Sequence, residues 1–347
     1  MAIQRTKHEI LVGLSISLTG RFSRQGQQAF EGIRLWQSYN KATGGIPQVR
    51  LLYYDDESRA IRAKENALRL LQGDRVDILF GPYSSGLTLA VAPIAEEHKK
   101  VLWNHGGSSD EIFNRGYCYL VSTASPASDY LRGLPEWLKE NYSRLRRICI
   151  LYSTSGTFGY QVARGVIEGA HPLGNHLLEV LPMDFPVPQA SEALVLAGAF
   201  EDEVRIIKAR DWPDTLKVIA AVAAGVQAFY EEVGERAEGV IGPSQWEPAA
   251  HFEDIQGPDS TWFAENFRQQ FGRLPEYTAA GSFAMGLVVG ECIGRAGSLE
   301  DDQLREVAAQ LDFSTFYGRF RIDPRTGRQI GHRILLTQWQ QGRKVVL

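Results

Sequence analysis

Two short turns carry residue types from which a binding chemistry can be built: Gly81-Pro-Tyr-Ser-Ser-Gly86 and Gly106-Gly-Ser-Ser-Asp110. Each follows a strand-forming apolar run, Ile78-Leu-Phe80 or Val101-Leu-Trp103, and precedes a helix-forming stretch. Serine hydroxyls at such a junction stand beside the unpaired N–H groups and positive dipole of a helix start, which favours a carboxylate. Ser84 and Ser85, flanked by Tyr83, are the candidates in the first turn, and Ser108, preceded by Gly106, in the second. A serine in this position is by default a helix cap. Ser108 to Glu111 also has the spacing of a capping box, in which Glu111 satisfies the Ser108 amide. Two such turns at adjacent strand ends, one with paired glycines that let a ligand approach the main chain, point past capping to binding.

No local enzyme signature accompanies them. The chain lacks G-x-x-x-x-G-K-[ST], a G-x-G-x-x-G after its first strand, and H-E-x-x-H. Gly106-Gly-Ser-Ser-Asp110 has an aspartate where a nucleophile elbow needs its last glycine. The histidines lie far apart without ligand spacing, so no catalytic residue, metal or cofactor is expected. Asp55-Asp56-Glu57 reads as a solvated loop opening a helix rather than a metal site. Cys118, Cys149 and Cys292 read as small buried hydrophobes. Among aromatic residues near the turns, Tyr83 and Phe158 are the better pocket candidates, because both stand in strand-end loops.

These residues must be held by a larger scaffold. The chain has 347 residues, about two domains' worth, with 44% hydrophobic and 22% charged residues. Its 37 basic and 41 acidic side chains give a net charge of -4 with no single-sign run, which argues against a nucleic-acid partner. The longest apolar stretch, Val218 to Val226, falls short of the ~20 residues of a membrane span. Met1 to Glu9 lacks the apolar run of a secretory signal.

Short buried-strand runs alternate with amphipathic helical stretches, which predicts an α/β protein with a parallel sheet. Strands are expected at 9–15, 49–54, 78–80 and 101–103, then at 147–152, 177–182, 193–199 and 216–221. Helices are expected at 27–40, 60–72, from the Ser84-Ser85 turn to His98, and after Ser109, then at 128–141, 160–170 and 201–210. The proline-rich segment 182–191 is too short for the crossover helix that belongs there. Late helices at 260–271, 278–296 and 301–311 precede a hairpin around Pro324-Arg-Thr-Gly327, a return that suggests repeated crossing between domains.

With these residues on view, the chain resembles type I periplasmic binding proteins of the Leu/Ile/Val class, the solute receptors of ABC importers. The likeness is carried by Leu18-Thr-Gly20 with Gly26, Glu31-Gly32, the Asn40 to Gly45 segment and Tyr54-Asp-Asp56. It continues through Gly81-Pro-Tyr-Ser-Ser85, His105-Gly-Gly-Ser108, Phe158-Gly159 and Ala237-Glu-Gly239 to Tyr317-Gly-Arg-Phe320 and Thr326-Gly-Arg-Gln-Ile-Gly-His332. The resemblance implies two Rossmann-like lobes joined by three crossovers: 1–121 with 246–317, and 122–245 with 318–347. It implies a ligand held between them by hinge closure.

By the same resemblance, the hydroxyls of Ser85 and Ser108 and the Ser108 amide grip a ligand carboxylate, and the Gly106 carbonyl accepts from its amino group. Phe158 and the loop near Phe200 supply closing contacts, with Gln25 and Tyr277 at the rim. The implied partners are a small amino acid, carboxylate or amide and the permease subunits of an ABC transporter, with the receptor itself a monomer. The implied location is periplasmic or lipid-anchored outside the cell after leader removal; a cytosolic amide or amino-acid sensor on the same fold is the alternative. The chain departs from amino-acid binders at one place: Val218 to Gly225 holds no carboxylate to meet an ammonium group. Unless Glu201 or Asp202 substitutes, a non-amino carboxylate, an aromatic acid or an amide avoids the cost of burying that charge unpaired.

Overall fold

A computed structural model describes residues 9–174, 177–209 and 212–347. The chain divides into two units: residues 1–125 with 248–333, and 126–247 with 334–347.

The first segment alternates strand and helix: β1 (Glu9–Ile16), α1 (Ser23–Thr43), β2 (Gln48–Asp55), α2 (Ala60–Leu68), β3 (Ile78–Phe80), α3 (Ser85–Glu97), β4 (Leu102–Asn104), α4 (Asp110–Asn114) and β5 (Leu120–Ser122). Its five strands form one parallel sheet in the order β2-β1-β3-β4-β5. The α1 helix ends where Gly44 takes a left-handed conformation, with its amide on the Asn40 carbonyl.

The second unit follows with α5 (Leu134–Asn141), β6 (Arg147–Tyr152), α6 (Phe158–Ala170), β7 (Leu177–Pro182), β8 (Ala193–Ala197), α7 (Phe200–Ala209), β9 (Val218–Ala221), α8 (Gln227–Val233) and β10 (Ile241–Ser244). No helix separates β7 from β8, as the proline-rich segment foretold, and β7 forms the sheet edge against β6. The chain then returns to the first unit for α9 (Ser260–Phe271), α10 (Tyr277–Ala296), α11 (Asp301–Gln310), β11 (Phe313–Thr315) and β12 (Gly318–Phe320). It ends in the second with β13 (Leu335–Gln340) and β14 (Arg343–Val346), which add two antiparallel strands beside β10. That sheet runs β14-β13-β10-β9-β8-β6-β7, with apolar clusters built on Ile148, Ile150 and Val195 and on Leu151, Leu194 and Leu196. The alternating side chains of β6 and β8 serve both clusters, as strands covered on two faces require.

Helix α10 reaches α1 through close backbone contact. A Cβ on Gly32 would lie 2.2 Å from the Ala279 carbonyl oxygen, and one on Gly286 would lie 2.3 Å from the Trp36 indole. The apolar residues of α10 are thereby buried within the unit, and no described helix is long and apolar enough to cross a membrane.

Several expectations change. The segment 318–333 belongs with the first unit rather than the second. Its turn is fastened to β5: the Ser122 amide donates to the Gly327 carbonyl at 3.0 Å. The expected hairpin around Pro324 shrinks to one antiparallel bridge, Ile322 to Gln329, while β12 pairs with β11. The period-two pattern beyond Arg333 belongs to a second hairpin, β13 with β14. Strands β5 and β10 and helix α8 are short and lie outside the expected elements; equally short β3 and β4 are marked by the glycine-bearing turns that follow them. Cys118 is exposed, because only its main chain is engaged, its amide by Glu96 and its carbonyl by Arg305.

Candidate ligand-binding site

In the first unit the serine turns lie side by side because β3 and β4 are neighbours, with Phe80 opposite Trp103 and the Gly81 amide on the Trp103 carbonyl at 2.9 Å. Both turns leave the carboxyl ends of their strands, the edge where parallel sheets bind ligands. Ser84 is the N-cap of α3; its hydroxyl accepts from the Leu87 amide at 3.4 Å, and its φ of 87° is left-handed. Ser85 does something different. Its hydroxyl oxygen accepts the amides of Ser108 at 3.2 Å and Ser109 at 2.9 Å, so the first residue of α3 pins the second turn. The Ser85 proton is left to donate.

The capping box does not form. Ser109, not Ser108, caps α4 by accepting from the Glu111 amide at 3.3 Å, and the Glu111 carboxylate pairs with Arg115 instead. The Ser108 amide is taken by Ser85, which removes the reason for Glu111 to reach back. Asn104 shapes the turn from below, accepting the Gly106 and Gly107 amides at 3.3 and 2.7 Å and donating to the Gly107 carbonyl at 2.7 Å.

The glycines serve the join between turns: a Cβ on Gly107 would lie 2.5 Å from the Thr88 hydroxyl, and one on Gly106 3.0 Å from Tyr83. His105 is buried at this point, and burial lowers its imidazole to about 4, so it is neutral at pH 7.

Aromatic residues flank the turns. The Tyr83 and Tyr277 hydroxyls meet at 2.9 Å, and Phe22 meets Tyr83 edge-on with centroids 5.9 Å apart. Tyr277 begins α10, and Gln25 lies in the first turn of α1. The structure thus brings Tyr83, Tyr277, Ser85, Ser108 and Gly106 together, with Gln25 on the helix start that carries Phe22. The Gln25 Oε1 is buried without a hydrogen-bond partner.

Phe158 and Phe200 fall in the second unit, as the first residues of α6 and α7 beyond β6 and β8. Phe158 packs edge-on against Tyr130 at 5.7 Å, and Tyr130 in turn accepts from Gln245 at 3.0 Å.

The acidic residues behave differently from expectation. The Asp55-Asp56 loop is not simply solvated: Asp56 is fully buried and accepts from Ser17 at 2.6 Å, Ser58 at 2.9 Å and Ser15 at 3.4 Å. Burial raises its pKa against those bonds. Asp55 takes the Leu18, Thr19 and Glu57 amides and the Thr19 hydroxyl, which outweigh burial and lower its pKa. The pair braces the loop after β1 onto β2.

Neither Glu201 nor Asp202 is the buried acid of α7; Glu201 is exposed, and Asp202 lies 3.6 Å from Arg205. That acid is Glu203, absent from the sequence candidates. Its two oxygens accept the Gly198 and Ala223 amides, each at 2.6 Å, and it has no exposed surface. Burial pushes its pKa up to about 8, with the two amides opposing. Its spacing with Val204 and Ile207 places it on the apolar face of α7, and that spacing was the available signal.

The Leu/Ile/Val-binding protein homolog 8 of Brucella melitensis biotype 1 is 22% identical over 98% of this chain and 90% of its own. A branched-chain amino acid transporter substrate binding protein of Streptococcus pneumoniae, solved with isoleucine, superposes with a TM-score of 0.79 at 17% identity, covering 98% of this chain and 99% of that one. A solute binding protein of an ABC transporter from Rhodopseudomonas palustris, solved with 3,4-dihydroxy benzoic acid, gives 0.78 at 17% identity, covering 98% and 97%. The type I fold expected from the sequence is therefore shared. A family model for periplasmic binding proteins matches residues 9–344, so the chain belongs to the periplasmic binding protein family.

Proposed function

We propose that this protein is the solute-binding component of an ABC importer and captures a small carboxylate-bearing molecule at the Ser85 and Ser108 turns. The observation that carries the reading is the Ser85 bridge. One hydroxyl fixes two turns at the carboxyl ends of adjacent strands while keeping its own proton for an acceptor. A ligand carboxylate there receives the Ser85 and Ser108 hydroxyl protons and the positive end of the thirteen-residue helix α3.

Tyr83, Ser84, Gln25, Tyr277 and the Gly106 carbonyl complete the first unit's side of the site. Phe158 and Phe200 reach the ligand from the second unit when the units close over it by hinge motion. The loaded receptor then delivers its solute to the permease subunits at the outer face of the cytoplasmic membrane. Solved structures of this fold hold isoleucine in one case and 3,4-dihydroxy benzoic acid in another, both carboxylic acids, which supports a carboxylate ligand for this chain.

The test is a thermal-shift screen over amino acids, aromatic acids and amides, followed by calorimetry on the Ser85→Ala/Ser108→Ala double variant. A ligand at 100 times its Kd adds about 2.7 kcal/mol of stability. The reading requires at least one carboxylate to do so and the double variant, still folded by circular dichroism, to lose that ligand. Unchanged affinity in the variant removes the site from the protein's function.

A further inference from the structure

We propose that the solute is an aromatic monocarboxylate without an ammonium group, because the buried acids at the strand ends are already committed and the serine turns are flanked by rings. The proposal rests on the reading of Ser85 and Ser108 as the carboxylate grip.

An amino acid brings a positive charge that must leave water with its carboxylate, and that charge needs a counter-charge in the site. In the first unit, Asp55 and Asp56 hold amides and hydroxyls of their own loop, buried Asp110 beside the Ser108 turn lies 3.7 Å from Arg328, and Glu276 pairs with Arg24 at 2.9 Å. In the second, Glu203 spends both oxygens on the Gly198 and Ala223 amides. Its raised pKa, about 8, also leaves it mostly protonated at neutral pH, where it offers no negative charge. Glu247, at the end of β10, pairs with Lys344. Glu201 is exposed to solvent, where water screens the attraction of a carboxylate for a cation.

The rings supply the other half. Phe22, Tyr83 and Tyr277 are half-buried around the Gly106 turn, and in the other unit Phe158, just beyond β6, meets Tyr130 edge-on. The part-exposed rings beside the Gly106 turn suit a flat apolar body, because aromatic pairs gain from edge and offset contact beyond simple burial. Gln25 Oε1, buried and without a donor, is an acceptor suited to a phenolic hydroxyl.

The experiment is calorimetry on the full chain with matched pairs: phenylalanine against 3-phenylpropanoate, leucine against 4-methylpentanoate, with 4-hydroxybenzoate as a rigid aromatic acid. The expected result is that 3-phenylpropanoate or 4-hydroxybenzoate binds at least tenfold tighter than phenylalanine and leucine, and that Ser85→Ala/Ser108→Ala abolishes it. Tighter binding of the amino acid in either pair, lost in the double variant, keeps the serine site and overturns the ligand class. Loss of such amino-acid binding in Glu201→Gln would identify the counter-charge that this proposal denies. Tighter binding of 4-methylpentanoate than of both aromatic acids overturns the aromatic half. Binding of none of these acids overturns the proposal and the carboxylate reading beneath it.

Discussion

Ser85 and Ser109 stand on different turns, yet the hydroxyl of one accepts the amide of the other at 2.9 Å, and the Ser108 amide joins them at 3.2 Å. Removing that hydroxyl therefore does more than delete a ligand contact. It strands the amides of Ser108 and Ser109, whose side chains are buried. Leaving a buried donor unsatisfied costs about 1–3 kcal/mol. Ser85→Ala is expected to lower Tm by several degrees with no ligand present, while Ser108→Ala, which keeps its amide bond to Ser85, lowers it less. Differential scanning calorimetry of the two single variants measures the difference.

Glu203 makes stability depend on pH. Its proton is held more tightly in the folded chain than at its ordinary value of 4.5, with a folded pKa of about 8. Its favourable contribution is full below 4.5 and is lost as pH rises through 8. Glu203→Gln keeps the shape without the titration. The variant is expected to show a flatter fall in Tm than the parent between pH 5 and pH 8, measured in matched buffers.

His105 works in the opposite direction. Burial depresses its folded pKa from 6.5 to about 4, so the unfolded chain binds the extra proton between those values. Stability falls as pH drops through that window, and His105→Gln is expected to remove part of the acid-side loss. Urea midpoints at pH 4.5, 5.5 and 7 check it.

Gly327 is left-handed with φ +68°, and a Cβ there would lie 1.9 Å from the Leu120 carbonyl oxygen. Gly327→Ala combines a backbone penalty with a steric one, for a loss on the order of 2–4 kcal/mol. Ala at Gly116, also left-handed at φ +77° but with open space around it, isolates the backbone part. Chemical denaturation of both variants is expected to rank Gly327→Ala well below Gly116→Ala.

Much of the scaffold was legible because its strands and helices keep strong periods. Strand β7 and helix α9 fall where apolar spacing predicts them, and the missing helix before β8 is announced by three prolines in Pro182 to Pro188. Three-residue β5 has too few positions to show a period, and unlike the equally short β3 and β4 it leads into no glycine-bearing serine turn that would mark its end. The turns were legible as serine-bearing strand ends; their internal wiring was not. Whether Glu111 caps Ser108 or pairs with Arg115 depends on where Ser85 sits, a relation across more than twenty residues that no local pattern encodes. Glu203 was missed for a related reason. An acid beside two other acids reads as solvated, and only the arrival of β9 at the end of β8 gives it the Ala223 amide.

The contact between α1 and α10 also sets an order of assembly. Trp36 rests against Gly286, 250 positions further along the chain, whereas β6 to β10 belong to one uninterrupted stretch. During synthesis that middle stretch has most of its own sheet at hand, while the amino-terminal portion waits with the tryptophan's apolar surface unmatched until α10 has emerged. Distant pairings of this kind slow maturation and prolong the risk of aggregation. Shortening that wait, for instance by circular permutation that brings α10 next to α1, is thus a route to faster refolding with the native contacts retained.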